Sequence, residues 1–139
     1  MLNAKSVKTT SKFKRLSVVI FFISNIILTM ADVFTSVVLV TFPSEVQYDN
    51  WLTKFRTFYN KKAIEFLREN GQISQRASRV LGDDVIRVTI IWTYRDYGAY
   101  EKCQKFHGQW GKVGGKFIAK TSGYRGYQVW SDLDIISQE

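Results

Sequence analysis

At 139 residues, with 45% apolar and 15% aromatic side chains, the chain has room for one packed domain and is not a disordered polymer. Five of its twenty basic residues and none of its twelve acidic ones fall in residues 1–31, so the net charge of +8 splits into +5 there and +3 beyond. That mild remainder is no argument for nucleic-acid binding, and one cysteine (Cys103) with one histidine (His107) excludes an internal disulfide and a four-ligand structural zinc site.

The first segment sets Lys5, Lys8, Lys12, Lys14 and Arg15 before an apolar run from Leu16 to Leu28. Positive then apolar is the order of a secretory signal, and Thr29-Met30-Ala31 offers a small residue for cleavage after Ala31. A retained membrane anchor through residues 16–31 and an internal start at Met30 are the other readings. They imply export or membrane attachment in the first two cases and a cytoplasmic domain in the third. Each leaves the same domain, residues 32–139.

Within that domain, Ser36 to Phe42 is apolar on both faces and rich in β-branched residues, which predicts a strand covered on both sides. Pro43 ends it. Ser44-Glu45-Val46-Gln47 is a capping box opening one long helix, with Tyr48, Trp51, Phe55, Tyr59, Ala63 and Phe66 at three-to-four spacing. Lys61, Lys62 and Arg68 are expected at its C-terminal end and Gly71 at its stop. Ile73 to Leu81 is a polar-heavy strand, turned by Gly82-Asp83-Asp84 into a clearer one. There Ile86, Val88, Ile90, Trp92 and Tyr94 point one way and Arg87, Thr89, Thr93 and Arg95 the other. Asp96 caps a second helix whose seam is Ala99, Cys103, Phe106, Trp110, Val113 and Phe117. Its glycines predict regular helix only to about residues 107–112. A last strand is expected from Tyr124 to Trp130. The order β-α-β-β-α-β predicts an α+β, ferredoxin-like domain: a four-stranded antiparallel sheet with two helices on one face.

That order, with the run Trp92-Thr93-Tyr94-Arg95-Asp96-Tyr97-Gly98-Ala99-Tyr100 carrying the third strand into the second helix, resembles the dimeric α/β-barrel superfamily of antibiotic-biosynthesis-type monooxygenases and NIPSNAP-like proteins. The resemblance covers most of residues 33–131. It implies a homodimer in which each sheet packs one face on its own helices and the other on its partner. It also implies functions ranging from cofactor-free oxygenation through haem degradation to none known.

In the haem-degrading relatives a histidine on the second helix and a tryptophan on the third strand are functional, so the resemblance nominates His107 and Trp92 as catalytic candidates and haem as a cofactor. The asparagine those relatives carry near the first strand has no counterpart here. From the residues themselves, Trp92, Tyr94 and Trp110 are candidates to line a flat pocket for an aromatic ligand. Arg87 and Thr89, with Thr93 and Arg95, are candidates to hold an anionic one. The plainer alternatives are a packed helix histidine, core aromatics and a solvated sheet face. Lys112, Lys116 and Lys120 fall at helical spacing and suggest a basic stripe or a solvated face.

Other motifs fail. Gly111-Lys112-Val113-Gly114-Gly115-Lys116 lacks the first glycine and the final Ser/Thr of a phosphate loop. The third strand lacks the aromatics of an RNA-recognition domain. Two functions remain: a small-ligand-binding or monooxygenase-like homodimer, and a non-catalytic exported or membrane-associated assembly module.

Overall fold

The computed structural model describes residues 32–82 and 84–133. The export or anchor segment expected at residues 1–31 lies outside them, as does Asp83 of the expected turn. Among the described residues no helix is long and apolar enough to cross a membrane.

Strand β1 is Phe34–Phe42, followed by helices α1 (Glu45–Phe58) and α2 (Lys61–Glu69), strands β2 (Gln72–Arg79) and β3 (Ile86–Tyr94), helix α3 (Tyr97–Gly114), a 3-10 turn Gly115–Phe117, and strand β4 (Lys120–Tyr127). The sheet order is β2-β3-β1-β4, with every neighbouring pair antiparallel. This is the ferredoxin-like arrangement that the element order predicted.

Caps fix the helix starts. Ser44 accepts the Gln47 amide at 3.3 Å, and Asp96 Oδ1 accepts that of Ala99 at 2.7 Å. The single long helix expected from Ser44 to Asn70 is instead two. Tyr59 leaves helical geometry (φ −89°, ψ 57°), and Asn60 caps a new helix by accepting the Ala63 amide at 2.9 Å. The local asparagine cap competes with continuation of the backbone ladder and wins. Lys61 and Lys62 therefore start α2, where the helix dipole disfavours them, and do not end a longer helix.

Helix α3 runs past the expected limit to Gly114, because Cys103 and Trp110 stay buried along one stripe. Gly114 suits its place: a Cβ there would lie 2.5 Å from the Trp110 indole one turn earlier. Gly71 is required twice over, with φ 98° and a would-be Cβ 2.5 Å from that of Ala99. It also holds the far end of β3, accepting the Arg95 amide at 2.8 Å.

The last strand begins four residues before the expected start and ends three before the expected end, its register set by pairing to β1 from Thr41↔Lys120 to Phe34↔Tyr127. The Lys112, Lys116, Lys120 spacing is accordingly not one helical stripe: the three sit on α3, the 3-10 turn and β4.

One sheet face carries the core. Phe34, Val40, Phe42, Val88, Ile90, Trp92 and Tyr94 pack against Trp51, Leu67, Ala99, Tyr100, Cys103 and Trp110 from the helices. The opposite face presents Thr35, Val37, Leu39 and Thr41 from β1 beside Arg87, Thr89, Ile91 and Thr93 from β3. Tyr124, Ser122 and Lys120 flank them from β4. All eight β1 and β3 side chains are half-buried in the single chain.

Candidate functional site

Between the sheet and α3 lies a cavity of about 120 Å³ lined by Ser36, Val38, Trp92, Tyr94, Gln104 and His107. Strand alternation brings Ser36, Val38, Trp92 and Tyr94 to the helix side, since Ser36 pairs with Trp92 and side chains directly opposite share a face. The spacing 104, 107 puts Gln104 and His107 on one stripe of α3.

His107 is held at both nitrogens. Nδ1 lies 2.8 Å from the Tyr59 hydroxyl, and Nε2 lies 2.9 Å from Gln72 Oε1. An amide oxygen only accepts, so Nε2 carries the proton and Nδ1 accepts from Tyr59. Gln72 in turn donates from Nε2 to Gln75 Oε1 at 3.1 Å. The result is a directed chain, Tyr59 to His107 to Gln72 to Gln75, tying α1, α3 and β2 together. It ends on Gln75 Nε2, which is buried with no hydrogen-bond acceptor, although the Gln75 side chain lies close enough to Tyr59 to offset part of the burial effect on its hydroxyl.

Burial dominates the electrostatics. It pushes His107 down to about 4, so the imidazole is neutral at pH 7. It pushes the Tyr59 and Tyr94 hydroxyls up and out of the physiological range. It also raises the Cys103 thiol, which with complete burial makes that sulfur a packing group and not a nucleophile. The Trp92 ring sits 5.4 Å from the His107 ring, and its indole N–H is buried without an acceptor.

Of the residues nominated from sequence, the structure brings His107, Trp92 and Tyr94 together. Trp110 is one turn beyond His107 and packs instead on Trp51, Phe55, Phe58 and Tyr59, with centroids 5.3–5.9 Å away. Arg87 and Thr89 face the other side of the sheet, opposite Thr41 and Leu39. Six contributors were not foreseen: Ser36, Val38, Tyr59, Gln72, Gln75 and Gln104. Ser36 had a visible signal, a lone small polar residue on the inward side of a valine-rich strand. Gln72 had none, being one polar residue in a polar-heavy stretch.

A haem does not fit these residues. Both His107 nitrogens are engaged within the protein, and the cavity of about 120 Å³ beside it is far too small for a macrocycle, which needs a site in the range of roughly 300–1,000 Å³. Among the described residues no cluster of His, Cys, Asp or Glu could hold a metal ion.

No protein-family profile matches the chain. No curated protein matches it either. Solved structures do. A dimeric ferredoxin-like protein from an uncultured marine organism aligns over 74% of this chain and 93% of its own, at 21% identity and a TM-score of 0.67. A proposed antibiotic biosynthesis monooxygenase from Nitrosomonas europaea aligns over 72% and 93%, at 11% identity and a TM-score of 0.59. Hydroxynitrile lyase from Passiflora edulis aligns over 73% and 97%, at 9% identity and a TM-score of 0.55. One frame thus supports unlike reactions, and at these identities the likeness is one of fold. The described domain has a ferredoxin-like fold, the fold of those dimeric ferredoxin-like and antibiotic-biosynthesis-monooxygenase-type structures.

Proposed function

We propose that this domain binds a small, planar molecule between its sheet and α3, and that it does so as a homodimer of the monooxygenase-like architecture. The observation that carries the reading is Trp92. Its indole N–H is buried with no acceptor, on a residue lining a cavity. An unmade hydrogen bond of this kind costs about 1–3 kcal/mol, which a ligand oxygen would recover. His107 serves as a positioning residue here: neutral, locked at both nitrogens and packed against Trp92, it fixes the ring that would meet the ligand.

The test is calorimetric titration of the full chain with benzamide, a ring with one carbonyl acceptor. Binding is expected, and Trp92→Phe, which keeps a ring but removes the donor, should weaken it by about tenfold. Benzamide that fails to bind, or that binds wild type and Trp92→Phe equally, would remove the reading.

The homodimer rests on the second sheet face. Val37, Leu39, Ile91 and the 71% exposed Tyr124 form an apolar centre with threonines and arginines around it. A contiguous apolar patch of this kind marks an association surface. Sedimentation of the full chain at micromolar concentration should report a dimer, and Leu39→Arg, which sets a charge in the centre of the patch, should yield a folded monomer. A wild-type monomer under those conditions contradicts the assembly.

A further inference from the structure

A second cavity, about 310 Å³, adjoins the first. Ser36, Val38 and Gln104 line both, and the second adds Val37, Tyr100, Gly123, Tyr124 and Arg125. The register places three of these residues in one row. Ser36 of β1 pairs with Trp92 of β3 on one side and with Arg125 of β4 on the other. Directly paired residues share a face, so Trp92, Ser36 and Arg125 stand in line across the helix side of the sheet. Their ends are two strand spacings apart, about 10 Å between Cα atoms.

The middle of that row is low, because Ser36 is small where its neighbours Phe34, Val38 and Val40 are large. Gly123, on the same face of β4, adds no side chain; a Cβ there would strike the Val37 carbonyl oxygen at 2.4 Å. The two ends are chemically distinct. Trp92 offers an unpartnered indole N–H. Arg125 is steadied by Tyr100, whose hydroxyl accepts from Nη1 and whose ring lies 5.5 Å beneath the guanidinium carbon. That contact uses one of the five guanidinium donors, and no carboxylate bridges Arg125 among the described residues.

No acidic side chain lines either cavity, and His107 is neutral, so Arg125 supplies the one formal charge among the lining residues. Building on the ligand reading above, we propose that this row selects a planar aromatic or conjugated carboxylate bearing a second oxygen at its opposite end. The carboxylate meets Arg125, the ring lies over Ser36, and the far oxygen accepts from the Trp92 N–H. Arginine suits this task because its fork matches a carboxylate's two oxygens and keeps its charge at every working pH.

The probes are 4-hydroxybenzoate and its uncharged counterpart 4-hydroxybenzamide, titrated by calorimetry into the full chain at low and at physiological salt. The acid should bind about tenfold or more tightly than the amide, as a charge-assisted pair would give. In Arg125→Gln that preference should vanish; Arg125→Lys should keep part of it. Far-UV circular dichroism of both variants checks that the sheet is intact. If acid and amide bind wild type equally, or if Arg125→Gln keeps the preference, the anion assignment is overturned and the pocket reading stands. If neither probe binds, the pocket reading falls and takes this assignment with it.

Discussion

Replacing Trp51 with alanine is expected to lower the free energy of unfolding by about 4 kcal/mol, among the larger effects available to a single core substitution. Trp51 is fully buried, and rings from three elements surround it: Phe42 of β1 at 5.1 Å, Phe55 of α1 at 4.8 Å and Trp110 of α3 at 5.9 Å. These neighbours are themselves anchored, Phe42 in the sheet ladder and Trp110 against Gly114, so they cannot close the space an alanine would leave. The cost is therefore the lost transfer energy plus a persistent cavity. Trp51→Phe should behave differently. The indole N–H is buried without an acceptor, so its removal abolishes a desolvated donor while most of the ring contact remains. A loss of about 1 kcal/mol is expected for it. Urea unfolding followed by far-UV circular dichroism, at one fixed protein concentration because a dimer's stability depends on it, measures both. An alanine cost below about 2 kcal/mol, or equal costs for the two variants, would mean that the aromatic cluster is not the keystone of the helix layer.

The same residues show how far the sequence could be read. Wherever one face of an element is apolar and the other polar, its type and direction were legible: the alternation of Ile86 to Tyr94 and the caps at Ser44 and Asp96 all reappear as predicted. The break at Asn60 was not legible, because apolar spacing continues on both sides of it and the deciding interaction is one side-chain cap. The limits of β4 were misjudged for the opposite reason. Its residues gave a propensity signal from Tyr124 to Trp130, while the strand is defined by what β1 offers for pairing.

The site divides in the same way. His107 and Trp92 could be nominated by residue type. Their partners could not, since Tyr59 and Gln72 reach His107 from 48 and 35 residues away and announce nothing locally. Strand parity alone already separates Arg87 and Thr89 from Tyr94, so those candidates could not have formed one pocket within a single chain. Arg125 was not nominated from sequence, because its relation to Trp92 through Ser36 is a matter of register, which periodicity does not specify.

Burial of His107 should make the protein acid-sensitive in a defined window. The imidazole sits near 4 in the folded chain, against an ordinary value of 6.5, because burial disfavours its charged form. Between those values the unfolded chain binds the proton and the folded chain does not, so stability rises with pH across the window. The contribution is complete above about pH 6.5, is lost progressively as pH falls towards 4, and changes no further once both states are protonated. Its full size is about 3 kcal/mol, since each pH step across the window is worth roughly 1.4 kcal/mol. His107→Gln cannot titrate, so the difference in unfolding free energy between wild type and variant should shrink by about that amount from pH 7 to pH 4. Carboxylates that titrate in the same range act equally on both proteins and cancel. Protonation also reverses one bond, because an imidazolium Nδ1 no longer accepts from Tyr59, and the chain from Tyr59 to Gln75 loses the direction that holds His107 against Trp92. Ligand affinity should therefore hold down to about pH 5 and weaken only as pH falls through about 4, where the folded imidazole itself takes the proton. Parallel pH profiles for wild type and His107→Gln would mean that the imidazole reaches solvent in the native state and does not act as a neutral, fixed support.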